Sequence, residues 1–239
     1  QNPGTNHPRM LTALGKTKKR GGKIITINPI PEVGLMRYKD PQNPLKWIGK
    51  GQKLTDIFLQ VKINGDVALL KIILKLLWEK EQKFPGTIFD HEFINSNTLG
   101  YDDFIKDLET YSIEELISQT GIDLEIIKEA ATLIAAKKKI IICWAMGLTQ
   151  HKNSVDNIRE VVNLLLVKGS IGKQGAGTCP VRGHSNVQGD RTMGIWEKPK
   201  KEFLDNLEKE FNFKAPRKNG YDVVDAIEAM YQKKAKVFI

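Results

Sequence analysis

Short apolar runs alternate along this chain with longer stretches in which apolar positions recur at helical spacing. Short runs bounded by turn residues fit strands buried on both faces, and the longer pattern fits helices with one buried face. Residues 23–27 (KIITI), 55–61 (TDIFLQV) and 139–144 (KIIICW) are the strand candidates. Helices are predicted from His7 to Arg20, closed by Gly21-Gly22, and from Val67 to Gln82, with Asp66 placed as the cap. The stretch from Phe84 to Thr110 is helical in part. Ser112 and Glu115 form an S-x-x-E capping box ahead of a short helix. Asp123 caps a helix through Lys137 that carries Ile126, Ile127, Ala130 and Ile134 on one face. A further helix starts at Asn153 or Ser154 and runs to Lys168. Two more are expected near Lys200–Phe211 and Tyr221–Gln232, and a strand begins at Ala235–Ile239.

Turn chemistry separates these elements. Asn2-Pro3-Gly4 opens the chain, and the Asn28-Pro29-Ile30-Pro31-Glu32 segment leaves the first strand as a rigid loop. Turns around Pro41, Pro44 and Gly49 make residues 33–53 irregular, and Asn64-Gly65-Asp66 forms another turn. Strands alternating with helices predict an α/β fold, a Rossmann-like three-layer domain with a mostly parallel sheet, followed by the start of a second α/β domain. Ligands of such sheets bind at the carboxyl ends of the strands. Three polar loops obey that rule: Gln1–Pro8, Asn28–Glu32 and Ala145–His151. No G-x-G-x-x-G follows a strand, so the ordinary dinucleotide fingerprint is absent.

Size and composition narrow the picture without identifying a function. The 239 residues suffice for a real core, and 41% hydrophobic with 27% charged residues is ordinary for a globular protein. No run approaches the ~18 apolar residues that span a bilayer. The chain begins at Gln1 and stops in AKVFI, inside apparent motifs at both ends, and reads as a piece of a longer polypeptide. Cys143 and Cys179 are the only cysteines and form no C-x-x-C, which excludes a zinc ribbon and a disulfide framework. Cys143 is expected as a buried strand thiol and Cys179 as a structural loop residue, in a reducing, cytoplasmic setting. The net charge of +9 permits nucleic-acid binding. The clusters Lys18-Lys19-Arg20, Lys137-Lys138-Lys139 and Lys233-Lys234, however, fall at expected helix ends, where cations complement the helix dipole. No aromatic-interleaved basic stripe accompanies them, so no nucleic-acid partner is expected.

The stretch from Gly169 to Gly194 (GSIGKQGAGTCPVRGHSNVQGDRTMG) carries most of the chemistry. Its glycines open the backbone, while Arg182, His184, Asn186, Gln188 and Arg191 supply polar side chains. That combination suits close approach to a large polar, anionic ligand. His91 and His151 have no partners at metal-ligand spacing and read as structural, and Trp144 reads as core.

The segments QNPGTNHPRM, GGKIITINPIPE, INGDVALLKIIL, CWAMGLTQHKN and LLLVKGSIGKQGAGTCPVRGHSNVQGDRTMG together resemble the molybdopterin oxidoreductases of the formate dehydrogenase and DMSO reductase superfamily. The closest likeness is to its formate-dehydrogenase-alpha-like branch. The segments occur in the family's order across nearly the whole chain.

The resemblance implies a bis(molybdopterin guanine dinucleotide) cofactor holding Mo or W. It also implies two-electron oxidation or reduction of a small substrate, and a possible 4Fe-4S cluster in the part upstream. Residues 1–184 would form a cofactor-binding α/β domain lacking its first strand, and 185–239 the start of a neighbouring α/β domain. The family's metal ligand would lie outside this segment, leaving no metal-ligating residue here. Partners would be the substrate, an electron-transfer partner and the rest of the polypeptide.

Residue by residue, Arg182 matches the arginine beside the metal, where a guanidinium can hold an oxyanion. His184 stands where relatives usually carry Gln, and its imidazole would carry protons. This departure puts formate as the substrate in doubt. Asn2, with Pro3 beside it, and the Met146-Gly147 turn match positions lining the nucleotide, and Gln150 matches one near the same ligand. His7 sits where a helix N-terminus would meet it. Asp66 matches an acid or amide near the guanine and reads equally as a plain N-cap. Asn28 replaces the family's usual Asp, and Ile30 the usual Arg, leaving a ribose contact to Asn28 or Glu32. Gly183, Asn186, Gln188 and Gly189 belong to the element that would order the loop or touch the cofactor. A relative that kept the fold and lost the cofactor, serving as a structural subunit, is the alternative; retention of these residues argues against it.

Overall fold

A computed structural model describes residues 8–39, 48–182, 184, 186–196 and 198–237. The expected turns at Asn2-Pro3-Gly4, Pro41 and Pro44 lie outside the described residues, as do Asn2, Pro3, His7 and Gly183 among the candidate site residues. The chain divides into two compact units, residues 1–181 and 182–239.

The first unit opens with α1 (Pro8–Lys19), whose last turn carries Lys16, Lys18 and Lys19 as dipole complementarity expects. Strand β1 (Ile25–Ile27) follows, then a single turn α2 (Val33–Met36) and the antiparallel pair β2 (Arg37–Tyr38) and β3 (Gln52–Lys53). Strand β4 (Ile57–Leu59) runs parallel to β1, with Ile25 opposite Ile57 and Ile27 opposite Leu59. Asp56 ties α1 to this pair. Its carboxylate accepts from Lys18 Nζ at 2.6 and 2.5 Å and from the Ile24 amide at 2.8 Å. Leu11, Tyr38 and Leu54 form a small core beneath α1.

Helix α3 (Asp66–Lys83) is the centre of the unit. Its DVALLKIILKLL half is apolar nearly all round, the mark of a helix surrounded by protein. Leu69, Ile72, Ile73, Leu74 and Leu77 are buried almost completely. Three helices follow, α4 (His91–Asn97), α5 (Tyr101–Thr110) and α6 (Ile113–Thr120), then α7 (Leu124–Ala135). Helices α5, α6 and α7 all pack on α3, and α7 also packs on β4. The capping box forms as the sequence spells it: Ser112 Oγ accepts from the Glu115 amide, and the Glu115 carboxylate accepts from the Ser112 amide. Asp123 likewise caps α7 by accepting from the Glu125 amide. Of the four residues expected on the inner face of α7, Ile127, Ala130 and Ile134 are buried. Ile126 is exposed, because it stands at the edge of the apolar stripe.

Strand β5 (Ile141–Trp144) leads into the single turn α8 (Met146–Thr149), then α9 (Ser154–Val167), which packs on α3, α4 and α8. The glycine-rich stretch is not loop throughout. Residues 177–180 form strand β6 (Gly177–Pro180), parallel to β5. Backbone pairing with β5 imposes a strand that its small and polar residues do not advertise. A buried lysine also crosses this region. Lys168 Nζ donates to the carbonyls of Ile88 at 2.9 Å and Ala135 at 3.1 Å, and burial pushes its pKa down.

The second unit holds α10 (Val187–Thr192), α11 (Lys201–Phe211) and α12 (Val223–Tyr231). Arg217 clamps the chain after α11 by pairing with Asp205 at 2.6 Å and Glu208 at 2.5 Å. Residues 235–237 adopt no strand, contrary to the sequence expectation, and 238–239 lie outside the described residues. The lysines at 137–139 and 233–234 fall just beyond α7 and α12 rather than in their last turns. The first unit follows an α/β plan of short strand pairs, two parallel and one antiparallel, among many helices, whereas the described residues of the second form helices and no strand. No helix among the described residues is long and apolar enough to cross a membrane.

Candidate functional site

Parallel strands deliver several candidate residues to loops at their carboxyl ends. Asn28 follows β1 directly and donates its amide to the Leu59 carbonyl at 3.2 Å, extending the β1–β4 ladder. Its side-chain Nδ2 donates to the Ile30 carbonyl at 2.7 Å. Gln60 Nε2 donates to the Pro29 carbonyl at 3.1 Å, which fixes the same loop from β4. One donor of Asn28 is therefore committed to the turn, and its side-chain oxygen can serve as an acceptor. Glu32 is half-buried at the N-cap of α2 and makes no side-chain capping bond.

Asp66 begins α3 after a tight turn through Asn64, whose φ is +69°. Gly65 takes the N-cap position that Asp66 was expected to hold. A Cβ on Gly65 would stand 2.8 Å from the Gln119 carbonyl and 3.1 Å from that of Lys62, so only glycine fits. The close passage of the α6 end thus pushes Asp66 one position into the helix. Its carboxyl is half-buried, and burial raises its pKa while the charge of His151 pulls the other way. Asp66 therefore lies within electrostatic reach of His151.

Hydrogen bonds tie the Ala145–His151 segment together. His151 Nε2 pairs with the Gly147 carbonyl at 2.8 Å, and the Gln150 amide donates to the Met146 carbonyl at 2.9 Å. Gln150 Nε2 reaches Met146 Sδ at 3.5 Å. From behind, Asn157 Nδ2 donates to the Leu148 carbonyl at 3.0 Å. Asn157 is fully buried, and its Oδ1 has no hydrogen-bond partner. Sequence reasoning passed over Asn157. The available signal was an amide at a position where the apolar stripe of α9 calls for a hydrophobe. Met146, Gly147 and Gln150 are exposed, and a Cβ on Gly147 would meet nothing within 4 Å.

These features suit a polar ligand with donor groups. A half-buried carboxyl at a helix start accepts from an amide-like N–H or an amino group, and the open face at Gly147 admits backbone approach. His91 is structural as expected, since its Nε2 pairs with the buried Glu81 at 2.7 Å. Trp144 packs against the core. The lysine Lys71 is buried beside Glu160 at 3.1 Å and Asp107 at 2.8 Å, an ion network within the core rather than a site. No cluster of metal-ligating side chains occurs among the described residues.

In the second unit Arg182, His184, Asn186, Gln188 and Gly189 are all exposed. Asn186 is the N-cap of α10, and Gln188 and Gly189 lie within that short helix. The Arg191 guanidinium stacks 4.1 Å from the centre of the Trp196 ring. Arg191 thus orders the chain after α10.

No family model matches the chain. It is 48% identical, over its whole length, to an uncharacterized oxidoreductase of Mycobacterium tuberculosis, of which it covers 31%. It is 32% identical over 188 residues to the alpha subunit of a formate dehydrogenase of Methanococcus maripaludis, covering 79% of this chain and 24% of that one. Its fold resembles that of acetylene hydratase from Pelobacter acetylenicus, with a TM-score of 0.56 and 22% identity over 70% of this chain and 20% of the other. The chain spans about a third or less of the length of these proteins.

Proposed function

We propose that this chain, a member of the formate dehydrogenase and DMSO reductase superfamily of oxidoreductases, supplies one cofactor-binding α/β domain, residues 1–184, and the start of a neighbouring one to a catalytic subunit of that kind. The observation that carries this reading is the pairing of two facts. A formate dehydrogenase alpha subunit aligns with most of the chain, and Asp66 lies within electrostatic reach of His151.

A molybdenum or tungsten held by molybdopterin guanine dinucleotide would supply two-electron redox chemistry. Asp66 accepts from the guanine amino group, and the Met146-Gly147 turn and Gln150 line the nucleotide. Asn28 offers its carbonyl oxygen, and Glu32 its carboxylate, to the ribose hydroxyls. The family match also assigns Asn2, Pro3, His7 and Gly183, which lie outside the described residues, and Asn186, Gln188 and Gly189 to cofactor binding. Arg182 holds an anionic substrate through its guanidinium, whose charge is fixed at any working pH. His184 takes or returns the proton that accompanies the electron pair. The compartment is the cytoplasm.

The test uses the full-length protein from a host able to make the cofactor. Elemental analysis and fluorescence of the oxidised, released pterin should give about one Mo or W and two pterins per chain. Absence of both would sink the enzymatic reading. Arg182→Ala should then cut turnover by orders of magnitude with metal content near normal. Unchanged turnover would remove Arg182 from the substrate site.

A further inference from the structure

Cys143 and Cys179 lie far apart in sequence and side by side in the fold. Strands β5 and β6 run parallel with Cys143 in register with Cys179. Side chains alternate between faces along a strand, so register partners point to the same face. Adjacent strands run about 4.8 Å apart, inside the ~4.4–6.8 Å range of Cα separations that a disulfide spans. Neither residue is buried, which corrects the expectation of a buried Cys143. Among the described residues strand β5 pairs with β6 alone. Each cysteine stands at the same interval before a candidate site residue, Cys143 ahead of Met146 and Cys179 ahead of Arg182. Past the pair the ladder continues with the Val181 amide donating to the Trp144 carbonyl at 2.7 Å.

We propose that Cys143 and Cys179 form a reversible cross-strand disulfide, a redox modification site at the root of the two candidate loops. Hydroperoxides are the oxidant class. The Cys179 thiolate attacks a peroxide oxygen, the O–O bond breaks, and a sulfenic acid forms as hydroxide leaves. The Cys143 sulfur then attacks the sulfenic sulfur. Its proton goes to the departing hydroxide, and the S–S bond closes. Two thiols and one hydrogen peroxide give one disulfide and two waters; the sulfurs lose the two electrons that the peroxide oxygens gain.

The order of events follows from surroundings. Nearby protein and the adjacent Cys179 push the Cys143 thiol up to about 11, so it stays protonated near neutrality. Exposure sets access to the oxidant, whereas this low-dielectric neighbourhood sets protonation, and the two observations concern different properties. Cys143 is accordingly the resolving thiol, which leaves Cys179, its exposed register partner, as the first nucleophile. In a reducing compartment such a bond is transient and reports oxidant load.

The full-length protein, reduced and desalted, is treated with excess hydrogen peroxide, blocked with iodoacetamide and digested without reductant. Mass spectrometry should find a linked pair of peptides carrying Cys143 and Cys179, lighter by two hydrogen atoms than the free thiol peptides together. Dithiothreitol should dissolve it. Cys143→Ser should abolish the link and leave Cys179 trapped by dimedone as a sulfenic acid. Recovery of both cysteines as alkylated thiols, or over-oxidation of Cys179 without the link, overturns the proposal. The result is independent of whether cofactor is bound.

Discussion

Glu81 shows how one side chain can organise a loop. It is buried in α3, yet its carboxylate accepts from the amides of Gly86, Ile88 and Phe89 and pairs with His91. Burial alone would raise its pKa. The Phe89 and Gly86 amides, then His91 and Ile88, outweigh burial and hold it at about 2, against an ordinary 4.5. Because the folded value lies below the unfolded one, the stabilisation is complete above pH 4.5 and disappears as pH falls toward about 2. Glu81→Gln should therefore cost on the order of 3 kcal/mol at neutral pH. In urea titrations across that acidic window the variant and the parent should converge; a constant gap would mean that the ionic bonds are not the source. Lys71 presents a different balance. Its ammonium lies amid the core, offset by Glu160 and Asp107 and stacked 4.3 Å from the Tyr111 ring centre. Lys71→Met alone should cost about 3–5 kcal/mol by stranding the Glu160 charge, while Lys71→Met with Glu160→Leu should recover most of that loss. Denaturant melts of the single and double variants would settle it, and equal losses in both would refute the ionic account.

At the scale of elements, local sequence decides where helices start and tertiary contact decides which start is used. The Ser112–Glu115 box is spelled out in four residues and forms as spelled, so Ser112→Ala should cost about 1 kcal/mol. Hydrogen exchange should quicken in the first turn of α6 while α7 keeps its protection. Equal quickening in both would indicate global rather than local loss. Asp66 shows the opposite case. Its residue type is right for a cap, but the α6 end passes so close that glycine must take that place. Strand β6 could not be read at all from Gly-Thr-Cys-Pro, because a partner strand, not side-chain pattern, makes it extended.

For the whole molecule, the functional prediction concerns retention of a large ligand by scattered loops. In the full-length protein, Asp66→Ala should lower the pterin recovered per chain several-fold while leaving the fold intact by circular dichroism. Unchanged pterin content would show that Asp66 serves only the helix. The sequence by itself determined the order and kind of most elements, the two caps at Ser112 and Asp123, and the family likeness carried by the loop motifs. Those are local matters, set by periodicity, turn chemistry and short strings of residues. It did not determine that Asp66 would come within electrostatic reach of His151, that Asn157 would be buried with an unmatched oxygen, or that two distant cysteines would share a strand register. Each of these depends on which segments the core brings together, and α3, apolar on nearly every side, takes neighbours from all along the unit rather than from the adjacent chain. Contact across such separations is chosen by packing and backbone pairing, and no window of sequence contains both partners.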